Sequence, residues 1–301
     1  MHSPFTRAAA VLVPLLIAIL AVDTDDAHAW SPESQTFIAR EAARLAPPDL
    51  YRQLVRNRRA YDMGVLEPFR TGDPMNRIKL DDGRGRLDEA LELAVRQAVA
   101  TIEQHRPFNE VAYRLGVVAH YVASANHPLH VAASDREHRR YAADFRQYGT
   151  SAQQRFRRVF YGFRREMRPP GARLDPTRMA IEAMARSRTL YPLIGREYRR
   201  IDFGRGADRF DDRSTAYAIT ALSFNHALSD IADTLRYIWL EAGGRDGRNP
   251  LPIRGLHILP LNPPERPASA GSSAAGADSA RAARKQPVVL TVPSADPRAP
   301  R

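Results

Sequence analysis

Cysteine is absent from all 301 residues. That single absence excludes disulfide scaffolds, cysteine-ligated zinc ribbons, iron–sulfur sites and thiol nucleophiles. Lysine is nearly absent as well, since only Lys79 and Lys285 interrupt a basic complement of 45 that is otherwise arginine. An imbalance of that kind tracks codon bias more readily than selection for guanidinium forks, so alone it is weak support for nucleic-acid binding. No stretch alternates apolar β-branched residues with polar ones, and no hairpin signal stands out, which speaks against a β-rich fold. After residue 22 no apolar run approaches the length of a membrane span. What is present is ordinary for a globular chain: 44% hydrophobic and 26% charged residues, enough for one large or two small domains with a sizeable core. The net charge of +11 favours anionic partners such as phospholipid head groups, nucleotides or acidic polymers.

The first 29 residues read as an export signal. Arg7 precedes an apolar run from Ala8 to Val22, too short to span a bilayer comfortably and of the right length for a signal-peptide core. Asp23, Asp25 and Asp26 follow, and then Ala27-His28-Ala29, the small-x-small pattern that a signal peptidase reads. Cleavage there makes Trp30 the mature N-terminus, with no transmembrane segment in the remainder.

Beyond the signal the chain reads as helix upon helix. Ser31-Pro32-Glu33 supplies a capping hydroxyl, a proline for the first turn and a carboxylate at the positive end of the dipole. Helices are predicted up to Pro47-Pro48, over 49–59, 87–104 and 115–126, from the capping box Ser134-Asp135-Arg136-Glu137, and over 151–167, 175–199 and 207–242. Residues 62–86, with glycines, prolines and aspartates, read as a loop. The expectation is a single all-α domain from 30 to 243, followed from 244 to 301 by a Pro/Ala/Arg-rich disordered tail.

Histidine carries what chemistry the pattern offers. His120, His127, His130 and His138 fall close together, and His120 sits on a helix that is apolar all round. A buried imidazole there needs a partner for each nitrogen, or a metal on one of them. Two or three satisfied core histidines would fit the spacing as well as a zinc site would. His226 reads as a packing histidine, and the arginine groups 155/157/158, 164/165 and 199/200 read as solvated helix faces.

The segment from His120 to His130 (HYVASANHPLH) resembles the signature of the zinc-dependent phospholipase C and single-strand nuclease superfamily. There a histidine, an aspartate four residues on, and a histidine after a Gln-Pro-hydrophobic step all bind zinc. An N-terminal tryptophan, whose amino nitrogen and carbonyl oxygen chelate metal in that family, matches Trp30. Gly64 to Pro68 (GVLEP) is similar to the family's Gly-to-Pro-Asp loop, His138 to Tyr141 (HRRY) to its second His-containing helix, and Asp230 to Gly243 to its closing helix. The resemblance covers about 30–243 and implies a multi-helix phosphodiester hydrolase.

Several family ligand positions are changed. Gln35 stands for a histidine, Phe69 for the loop aspartate, Asn76 for another histidine, Ser124 for the bridging aspartate and Ala142 for the carboxylate one turn after His138. Trp30, His120, His130 and His138 remain. Three dications would lack compensating charge, so the expectation is at most one zinc, on His130 and His138, completed by water or a loop acid. Three readings follow from this. The chain is an exported phospholipase C/nuclease-like protein with impaired or lost activity, an inactive binding module for anionic lipid or nucleic acid, or a helical envelope protein without chemistry. Protein recovered from the export pathway, periplasmic or extracellular, should begin at Trp30. N-terminal sequencing that found Met1 would overturn both the export signal and the tryptophan ligand.

Overall fold

A computed structural model describes residues 30–72, 75, 86–132, 135–247 and 255–259. The expected signal segment, Asn76 and nearly all of the tail lie outside the described residues. The chain forms α1 (Pro32–Ala43), α2 (Pro48–Arg56), α3 (Arg58–Thr71), α4 (Leu87–Glu103), α5 (Phe108–Ala125), α6 (Ala142–Ala152), α7 (Pro176–Arg200), α8 (Gly206–Arg209) and α9 (Thr215–Glu241). Two three-residue strands, β1 (Arg158–Phe160) and β2 (Leu256–Ile258), pair in parallel. The all-α expectation holds. Among the described residues no helix is long and apolar enough to cross a membrane.

The helix starts follow from local chemistry. The Ser31 hydroxyl accepts the Ser34 N–H at 3.1 Å, with Pro32 in the first turn, as the sequence predicts. Asp175 does the same for Arg178 at the start of α7, and Ser214 for Tyr217 at the start of α9. Helix α5 is the centre of the core. From Leu115 to Ala125 all but one of its residues are buried, which explains why the sequence there is apolar all round.

Helix α3 lies against α5 and corrects the expected loop at 62–86: residues 62–71 are helical. Gly64 and Gly116 are contact points between two backbones. A Cβ on Gly64 would stand 1.9 Å from the Tyr113 carbonyl oxygen, and one on Gly116 would stand 2.1 Å from that of Tyr61. The glycine at 64 therefore marks close packing within a helix. Pro68 falls in the last turn, and Gly72 ends the helix at φ +62°, where a side chain would be strained.

The helix expected over 151–167 is also corrected. A 3-10 turn at Gln153–Arg155 gives way to β1 and then to a second turn at Arg165–Met167. The cause is a row of polar side chains one turn apart on α9. Asn225 Oδ1 accepts the Val159 N–H at 2.9 Å, Ser229 Oγ accepts that of Tyr161 at 3.2 Å, and Asp233 Oδ1 accepts that of Arg164 at 3.0 Å. Asn225 Nδ2 also donates to the Arg157 carbonyl. The row takes the place of a neighbouring strand on one side of β1 and holds the segment extended.

β2 takes the other side, so ordered structure extends past the boundary expected at 243. The helix predicted from the Ser134 capping box is likewise interrupted. Glu137–Arg140 is a 3-10 turn, Tyr141 leaves helical geometry at φ −135°, and α6 starts only at Ala142.

Replacing Gly64 or Gly116 by alanine should force α3 and α5 apart. Because the obstacle is backbone, the loss should reach about 3 kcal/mol or more, the upper end for overpacking. Urea unfolding would measure it, and a Gly116→Ala protein as stable as the parent would contradict this packing.

Candidate functional site

The site residues expected from the sequence divide into two environments. His120, on α5, is buried, and its Nδ1–H donates to the Val65 carbonyl oxygen at 2.9 Å. A carbonyl can only accept, so the ring is held in the Nδ1–H tautomer. The Phe69 ring meets it edge-on at 4.9 Å and the Tyr121 ring at 5.6 Å. Phe69 therefore brings hydrocarbon to the ring where the family resemblance places a carboxylate. Gln35 is buried beside the same turn, its Nε2 donating to the His120 carbonyl at 2.7 Å and its Oε1 buried without a hydrogen-bond partner. Ser124 and Ala142, the other changed positions among the described residues, are buried as well.

The second environment gathers Trp30, His127, His130 and His138. The Trp30 indole N–H donates to the Ala123 carbonyl at 3.0 Å, and its ring meets His127 edge-on at 4.5 Å. His127 accepts the Leu129 N–H through Nδ1 at 3.2 Å, one consequence of the Pro128 turn. Burial is the main cause that holds its pKa well below the ordinary value, with the charges of His130, Arg146 and His138 adding to it. His127 is thus a neutral core imidazole and the hub of the group, although the family pattern gives no role to this position.

His130 and His138 are buried too. The acid beside His138 is Asp135, and its oxygens are already used. Oδ2 accepts the Tyr191 hydroxyl at 2.6 Å and Oδ1 the Glu137 N–H at 2.9 Å, which holds the carboxyl below its usual range. Ala142 opens a new helix after the break at Tyr141, so it is not one turn beyond His138 on the same helix, as the sequence had suggested. Asp62 and Glu67, half-buried acids of the segment expected as a loop, pair with Arg40 of α1 and Arg70 of α3. Among the described residues, no three histidine, aspartate or glutamate side chains converge as a metal group. A carboxylate-bridged zinc cluster does not fit this donor set.

A third polar centre went unnoticed in the sequence. Asp230 and Asp233, both buried on α9, face Arg164 and Arg186. Arg164 Nη2 lies 2.8 Å from Asp230 Oδ1, and Arg186 Nη2 lies 3.0 Å from Asp230 Oδ2. Asn126 Nδ2 donates to the same Oδ2 at 3.0 Å. Arg164 was expected on a solvated face and is instead mostly enclosed; Arg158 likewise pairs with Glu41 at 2.7 Å. His226 packs on the Tyr161 ring at 4.8 Å, and burial lowers its pKa to about 4. The signal was available in a core helix carrying Asn225, Ser229, Asp230 and Asp233 along one side, since buried polar groups require partners.

Compared with known proteins, the chain matches no family model and no curated protein.

Burial raises the Asp233 pKa from 3.8 to about 8. A carboxyl whose folded pKa is raised stabilises the fold fully below its unfolded pKa, and that contribution is lost as pH rises through the folded value. His226, with its pKa lowered, contributes in the opposite sense: its stabilisation is present above about pH 6.5 and is lost as pH falls toward 4. Between pH 6.5 and 8 Asp233 alone of this pair acts, and its contribution should fall by about 2 kcal/mol. Asp233→Asn keeps an acceptor for the Arg164 N–H and should flatten that decline. Denaturant unfolding of both proteins across this range measures it, and parallel pH profiles would refute it.

Proposed function

We propose that the chain is an exported protein of the zinc-dependent phospholipase C and single-strand nuclease type in which phosphodiester hydrolysis is impaired or lost. The observation that carries this reading is the placement of Phe69 against His120. A hydrolytic cluster of several dications needs anionic ligands to offset the ions' charge and a position left for water. Here the family position for a carboxylate is an aromatic ring, and the other changed positions are two amides, a hydroxyl and a methyl. The family's remaining donors are the Trp30 terminus and the three imidazoles.

Of these, His130 and His138 share one environment, and they are the pair that would hold a single zinc. Arg146, whose charge is felt at His127 in the same group, opposes a dication there. Any such site is therefore weak. A second reading, a binding module for anionic lipid or nucleic acid, is favoured by a separate observation. Several exposed arginines, among them Arg178, Arg188 and Arg196, have no acidic partner among the described residues.

Zinc-loaded protein should hydrolyse bis-aryl phosphodiesters far more slowly than intact members of that superfamily, and elemental analysis should find no more than one zinc per chain. His130→Ala/His138→Ala should remove whatever zinc is bound. Robust zinc-dependent turnover abolished by His130→Ala would overturn the reading, as would two or more tightly held zincs.

A further inference from the structure

Helix α7 is 25 residues long and buries one side through Met179, Ala180, Ala183 and Ile194. Its other side carries Arg178, Arg188 and Arg196, with Ile181, Ala185 and Pro192 between them, and all six are exposed. Their offsets of three, four and multiples of these keep them within one strip of the helix surface. At 1.5 Å and about 100° per residue the three arginines stand about 15 Å and 12 Å apart along the axis, with Arg188 offset about 80° around the helix from the other two.

No carboxylate among the described residues pairs with any of the three. Glu182, at the edge of the strip, lies 4.0 Å from Arg164. Near the C-terminal end Arg199 is engaged by Glu137, and Arg200 by Glu197. On α7 the unmatched positive charge is therefore on the strip itself, and it is complemented by a surface of the opposite sign.

We propose that this strip docks the protein on an anionic phospholipid surface. The inference rests on the second reading above, that the chain binds an anionic ligand, and assigns that ligand and its contact face. Two features favour a bilayer over nucleic acid. The residues between the arginines are small or aliphatic, suited to lying at a head-group boundary, with Ile181 48% exposed. Aromatic side chains that would stack bases are missing from the strip.

The test uses purified full-length protein and vesicles of phosphatidylcholine with or without phosphatidylglycerol. Binding should require phosphatidylglycerol and weaken with salt. Each arginine near such a surface contributes about fivefold to partitioning. Arg178→Gln/Arg188→Gln/Arg196→Gln should therefore weaken binding at least tenfold, with an unchanged melting temperature. The charge-matched control Arg56→Gln/Arg59→Gln/Arg213→Gln alters equally exposed arginines elsewhere and should bind within about twofold of the parent.

Equal losses in both triple variants would overturn the assignment of the strip while leaving anionic binding intact. Tighter binding to a single-stranded oligonucleotide, with the same sensitivity to the strip variant, would make nucleic acid the partner and overturn the bilayer. Parent protein that binds neither probe would remove the underlying binding reading as well.

Discussion

The arrangement around the histidines depends on two helix backbones meeting with no side chain between them. Gly64 and Gly116 let α3 press against α5 until backbone atoms of one helix occupy the space a Cβ would need on the other. That approach carries the Val65 carbonyl to His120 and brings Phe69, one turn later, onto the same ring. A bulkier residue at either glycine would separate all of these groups together. The tautomer of His120 and the hydrocarbon beside it are thus consequences of a packing choice made a turn away.

The end of α5 extends the same logic to the rest of the domain. Asn126 and His127 are consecutive, and they serve opposite sides. Asn126 donates to Asp230 and accepts from Arg186, tying α5 to α9 and α7. His127 faces Trp30 and the turn at Pro128, tying α5 to the start of the fold. The buried polar groups here largely pair with one another, and a network of that kind fixes one arrangement more strictly than apolar packing does. Removing one partner leaves the remaining group desolvated and unpaired.

The sequence was informative where local chemistry decides structure. Ser31 caps the helix that its type and position foretell, and the apolar run in α5 is central as its composition requires; the helix expected over 207–242 is instead broken after Arg209, and α9 starts anew at the Ser214 cap. It misled where a tertiary contact overrides local preference. Glycine and proline at 64 and 68 usually punctuate a loop, yet here one permits backbone contact and the other falls near a helix end. Residues 157–164 (RRVFYGFR) fall within the helix expected over 151–167. They are extended because the Asn225, Ser229 and Asp233 side chains on α9 accept their backbone N–H groups. Nothing within 157–164 announces that partner. The burial of His120 could be read from its apolar surroundings, but the central position of His127 could not, because it arises from the fold bringing Trp30 and Arg146 alongside.

The distribution of buried carboxylates ties the two polar centres to the functional reading. Clustered dications require anions in direct contact, and without them the ions' mutual repulsion and lost hydration are uncompensated. In this fold the deeply buried aspartates, Asp230 and Asp233, are on α9, where guanidinium groups already neutralise or approach them. The acid nearest His138, Asp135, is engaged by a tyrosine hydroxyl and a backbone N–H. Releasing any of these to coordinate metal would expose an arginine or a tyrosine to desolvation without its partner. Histidine alone bears no such penalty, since a neutral imidazole is satisfied by one donor and one acceptor inside a core. Buried imidazoles without carboxylates beside them are therefore a stable combination: the histidines are satisfied as core residues whether or not a metal is present.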